Sequence, residues 1–125
     1  MKADSSTFGV AKVIINNYLH YISEDHLKQR AMSFFAKDSV LEFDGAVFNN
    51  KVSIHQGLKT IPPFTYNITN FDCMNVPNLP ISMIILTGFA FFEQTGETKR
   101  FITTLYVIIN GNSAIIKNQI FNFIN

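Results

Sequence analysis

Tryptophan is absent from this chain and cysteine occurs once, at Cys73. A single thiol makes no internal disulfide, and no CxxC or Cys/His spacing offers a zinc site. The sequence therefore calls for no metal and no cofactor, and a reducing compartment suits it. Charge is also scarce, at 15% of residues with a net of +1, and no basic cluster is longer than Lys99-Arg100. That excludes nucleic-acid binding driven by counterion release. Long apolar runs are missing too. Asn16, Asn17 and His20 interrupt the N-terminal apolar stretch, which leaves neither the h-region of a signal peptide nor the ~20 apolar residues of a membrane span. The expectation is a soluble intracellular protein, with Asn67-Ile68-Thr69 a strand segment rather than a used glycosylation sequon.

What is abundant is phenylalanine. Hydrophobic residues make up 47% of the 125, including 13 Phe. A single domain of this length buries one core, and the apolar surplus points to a self-association face, a partner groove or a cavity.

Val10, Val13, Ile14, Tyr18, Tyr21 and Ile22 fall at helical spacing, which predicts a first helix from about Ser6 to Ile22. Ser23 offers a cap for a second helix carrying Leu27, Ala31, Met32, Phe34 and Phe35, with Glu24 and Asp25 at its positive end. Val40 to Phe43 reads as a short strand closed at Asp44-Gly45, and Ala46 to Phe48 returns from that turn. Asn49 or Asn50 then caps a third helix through Leu58, which Pro62-Pro63 prevents from continuing. Residues Phe64 to Asp72, Ile81 to Glu93, Lys99 to Ile109 and Ser113 to Phe123 read as a strand meander.

Both parities of the central strand are apolar, with Met83, Ile85, Phe89 and Phe91 on one face and Ile84, Leu86, Ala90 and Phe92 on the other. A sheet with one wet face alternates instead. Helices cover one face, and a second protein molecule is the natural cover for the other. Gly88 within that strand marks a bend or bulge.

The element order resembles the cone-shaped fold of the nuclear transport factor two family. The residues that carry the resemblance are Val10, Ile14 and Tyr18 in helix one, Leu41-Glu42-Phe43-Asp44-Gly45 at the turn, the hairpin from Gly88 to Phe101, and the closing Asn118-Gln119-Ile120-Phe121. It spans roughly residues 8 to 123. The resemblance implies an α+β fold, a curled antiparallel sheet wrapped around a helical hairpin and a third helix, in a single domain over residues 1–125. It also implies a non-enzymatic transport factor of the cytoplasm, nucleus and nuclear pore that binds Ran-GDP and FG-repeat nucleoporins as a homodimer.

By that resemblance Asp44 falls on the turn acid that receives basic residues of Ran, Glu93 falls on an acid of the long hairpin, and Glu97 lies near a second. The family's import carrier has a tryptophan beside its nucleoporin site; Thr7 or Phe8 stands there in this chain, which makes Phe8 the nucleoporin candidate. Strand residues Phe91, Ile102, Tyr106 and Phe121 are the candidates for the dimer interface. The alternative branch is the Nxt-type small subunit, a heterodimer with the messenger-RNA export receptor, which Phe92-Glu93 and Asp72-Cys73 resemble more closely. Glu42 is read on the face opposite Phe43 and shared with Leu41, without a function.

A third reading is an enzyme, since the cone fold also hosts isomerases and dehydratases. Tyr18, Asp44, Asp72 and His55 are the residues available to it, but no acid, base and oxyanion donor stand at a recognisable spacing.

Overall fold

The apolar stripe of the N-terminal segment winds into α1, Ser5–Ser23, in a computed structural model that describes residues 5–124. Ile14, Tyr18 and Ile22 of that stripe are buried together with Leu19, whereas Val13 is 63% exposed. The second helix is shorter than its apolar pattern predicts. Two 3₁₀ turns, Asp25–Leu27 and Met32–Phe34, flank a single α-helical turn, α2, at Lys28–Ala31. Phe35 belongs instead to β1, Phe35–Phe43, where it pairs with Ile116. A four-residue helix does not sustain itself in water; Lys28 holds this one by burying its side chain and donating to Asp25 Oδ1 at 2.8 Å and to the Ile61 carbonyl. Ser23 caps nothing downstream, because its hydroxyl donates back to the His20 carbonyl at 2.7 Å.

β2 is Ala46–Phe48 and α3 is Lys51–Lys59, capped by Asn50, whose side chain accepts from the Ser53 amide at 2.9 Å. The remaining strands are β3 (Thr65–Asn75), β4 (Ser82–Phe92), β5 (Glu97–Asn110) and β6 (Ser113–Ile124). They form one six-stranded sheet in the order β2-β1-β6-β5-β4-β3. β3 to β6 are the predicted meander. The sheet is mixed rather than purely antiparallel, because β1 runs parallel to β6. A parallel neighbour needs a long crossover, and the chain from α3 through β5 supplies it.

Even-numbered residues of β4 point inward, Ile84, Leu86 and Phe92 among them, and meet Ile14, Tyr18, Leu19, Ile54 and Leu58 of the helices. The other parity points outward, where Phe89, Phe91, Ile102, Tyr106, Ile120 and Ile124 are 37 to 47% exposed. The bulge expected at Gly88 lies on the opposing strand, between Ile68 and Asn70, where Gly88 pairs with Ile68. The fold is thus α+β, a curled, unclosed sheet holding helices in its concavity.

Candidate functional site

The turn between β1 and β2 is the two-residue hairpin read from Asp44-Gly45, with φ of 47° and 89°. Two successive positive φ values define a type I′ turn, which follows the twist of the strands and favours an Asx-Gly pair. Asp44 also fastens this turn to the end of β6. Its amide donates to the Phe121 carbonyl at 2.9 Å and its Oδ1 accepts from the Phe123 amide at 2.8 Å. Oδ2 has no partner among the described residues.

Beside the turn opens a pocket of about 230 Å³, walled by Phe43, Ile61, Pro62, Phe92 and Phe123, with Asp44, Glu97 and Lys99 among its polar residues. The Lys99 ammonium lies 5.8 Å from the Phe92 ring centroid, within reach of a cation–π attraction. Below it the cone is filled by aromatic rings. Phe121 stacks on Phe101 at 5.6 Å and on Phe43 at 5.5 Å, and Phe123 meets Phe92 edge-on at 5.2 Å. The pocket is therefore backed by packed aromatic rings, with both acidic and basic side chains among its lining residues.

The structure brings Asp44 and Glu97 to one pocket. Glu93 stands apart, lining a neighbouring cleft of about 330 Å³ with Ser23, Glu24, Pro63 and Phe64. Phe8 is half-buried and packs edge-on against Phe71 at 5.4 Å. Of the four interface candidates, Phe91, Ile102 and Tyr106 stand on the outward face, whereas Phe121 is 1% exposed and belongs to the core. Its neighbour Ile120 faces outward instead. Both residues are apolar, so the strand pattern did not resolve which parity looked out. Glu42 does lie opposite Phe43, but also opposite Leu41, since residues two apart share a face; it lines an outer groove with Val40 and Val47.

Lys99 and the Ile61-Pro62 wall were missed from sequence. Lys99-Arg100 was read as one basic unit, yet strand alternation separates the two: Lys99 turns to the pocket while Arg100 is exposed on the outward face. The parity of Glu97 and Lys99 was the available signal.

The residues named for an enzyme do not converge. Tyr18 is fully buried, donating to Gln119 Oε1 at 2.5 Å; Gln119 Nε2 donates to Thr103 Oγ1 at 3.0 Å, and Thr103 donates to the Ile120 carbonyl at 2.8 Å. Burial pushes the Tyr18 phenol far above its usual range, only partly offset by Gln119, so it stays protonated at neutral pH. Asp72 lies on β3, at the opposite edge of the sheet order from the β1–β2 turn, and accepts from Asn70. His55 is on α3, its pKa lowered by desolvation and by Lys59. Among the described residues no group of three His, Cys, Asp or Glu could hold a metal ion, and no helix is long and apolar enough to cross a membrane.

No protein-family model and no curated protein matches the sequence. Solved structures do match. Nuclear transport factor 2 from Cryptosporidium parvum superposes with a TM-score of 0.78, covering 92% of each chain at 18% identity. The Mtr2–Mex67 M domain complex of C. albicans gives 0.77 at 12% identity over 91% of this chain and 93% of that one. A ketosteroid isomerase-like protein from Erwinia carotovora atroseptica gives 0.73 at 11% identity over 97% and 98%. The fold is that of nuclear transport factor 2, and it is shared by transport proteins and isomerase-like proteins alike.

Proposed function

We propose that this chain is a non-enzymatic nucleocytoplasmic transport factor, a homodimer that takes Ran-GDP at the mouth of its cone and meets FG-repeat nucleoporins on its surface. The observation that carries the reading is the rim of the pocket. Asp44 and Glu97 border an apolar hollow of about 230 Å³, an arrangement that accepts one anchoring side chain while its basic neighbours meet carboxylates. A buried anchor ringed by charge pairs is a common way to combine affinity with partner choice. Small-molecule sites more often enclose ~300–1,000 Å³ with convergent polar groups, and this pocket, at about 230 Å³, is smaller than that.

A second reading, the small subunit of a messenger-RNA export heterodimer, draws on the outward apolar face and on the likeness to Mtr2 in its complex with the Mex67 M domain.

Calorimetric titration with Ran-GDP and Ran-GTP decides between them. The wild type should bind Ran-GDP selectively. Asp44→Asn keeps the Oδ acceptor for Phe123 and tolerates positive φ, so its fold should be intact while affinity falls about tenfold or more, as for a desolvated charge contact. Asp44→Lys should abolish binding. A folded wild type that ignores Ran-GDP refutes the import reading and leaves Asp44 as a turn and clasp residue.

A further inference from the structure

We infer that Glu42 of one copy of this chain pairs with Arg100 of a second copy, and Arg100 with Glu42, across the outward face of the sheet. This rests on the homodimer proposed above and names what sets its register.

The outward face carries two charges with no side-chain partner among the described residues. Glu42 is half-buried in an apolar groove of about 230 Å³ between Val40, Val47, Ile120 and Tyr106. Arg100 is exposed on β5. Elsewhere on the sheet Lys117 of β6 donates to Asp38 of β1 at 2.7 Å, and Asp72 of β3 accepts from Asn70. Covering the apolar face strips water from Glu42, and a carboxylate left alone in that setting opposes association unless a cation arrives with the partner. An arginine suits the groove. Its stem lies along aliphatic surface, its planar head stacks on an aromatic ring such as Tyr106, and its fork matches a carboxylate.

Glu42 and Arg100 cannot meet within one chain. Glu42 is opposite Ile120, Ile120 is opposite Thr104, and Arg100 lies farther along the same strand as Thr104. From strand spacings that is roughly 10 Å across and 13 Å along the sheet. A two-fold axis lying in the face midway between the two positions exchanges them, which is the self-complementarity an isologous contact requires. Ile102, Thr104, Ile120 and Asn122 then fall at the centre, two aliphatic side chains beside one hydroxyl and one amide.

Sedimentation equilibrium at moderate salt tests the pairing. Glu42→Arg and Arg100→Glu should each raise the dimer dissociation constant at least tenfold. An equimolar mixture of the two variants should form a heterodimer near wild-type affinity, because every facing pair is then of opposite sign, and the double variant should recover the homodimer. The same charge changes off the face, Lys12→Glu mixed with Glu24→Arg, should do neither. If both single variants dimerise like the wild type while Ile102→Asp is monomeric, the face is correct and the Glu42–Arg100 pair is overturned. A monomeric wild type overturns the pair and the homodimer together. Ran-GDP titration of the same samples reads the cone mouth separately, so failure of the pairing is not confused with failure of the transport reading.

Discussion

At Gly88 the sheet has no room for a side chain. A Cβ built there would lie 2.3 Å from the Asn67 carbonyl oxygen and 2.8 Å from the Phe101 ring. The ring can turn, but the carbonyl belongs to the neighbouring strand and moves only with the backbone. The bulge in β3 opposite this position brings that carbonyl close. Gly88→Ala should therefore cost about 1–3 kcal/mol or more, in the range of an overpacked core, measured by urea unfolding. A variant as stable as the wild type would mean that β3 and β4 separate here at little cost. Asp44 shows a different economy at the same scale: one side chain forms the turn, fastens β6 and faces the pocket, so charge removal and loss of the clasp must be tested by different substitutions.

At the scale of elements, Lys28 holds the helical hairpin against the connector from α3 to β3. Its side chain is 2% exposed and donates to the Ile61 carbonyl, while the Phe64 amide donates to the Ser23 carbonyl at 3.0 Å. Ile61 and Pro62 are also a wall of the candidate pocket. Lys28→Met fills similar volume but leaves the Ile61 carbonyl without its donor, which should cost about 1–3 kcal/mol and speed amide exchange at Phe64. Unchanged exchange would show that the connector is held by apolar packing alone. Elements of this kind were the least legible from sequence. Periodicity and turn chemistry showed α1, a cap at Asn49 or Asn50 and the Asp44-Gly45 turn, because each is decided within a few residues. It did not show that Phe35 leaves the helix to pair with Ile116, or that β1 joins β6 in parallel, because those pairings are decided by residues about 80 positions away. The acid of the turn was legible and its companion Lys99 was not, since Lys99 enters the pocket only once the parity of β5 is known.

The molecule as a whole has one more apolar face than its helices cover. The concave side of the sheet holds the core, and the convex side presents Phe89, Phe91, Ile102, Tyr106, Ile120 and Ile124 together across β4, β5 and β6. Scattered exposed hydrophobics need no explanation, but six on one face of three adjacent strands, interleaved with Thr98, Arg100, Thr104 and Asn122, suit a protein cover. If a second copy supplies it, folding and association are linked, and the melting temperature must rise with protein concentration. Ile102→Asp removes that dependence at small cost to the isolated chain, because position 102 is 37% exposed and surface substitutions typically shift stability by no more than about 0.5 kcal/mol. Scanning calorimetry at two concentrations differing a hundredfold reads both effects. The wild type should melt higher at the higher concentration, and the variant should melt at one temperature throughout. A wild type whose melting temperature ignores concentration would leave the face to a different polypeptide, as an export heterodimer requires.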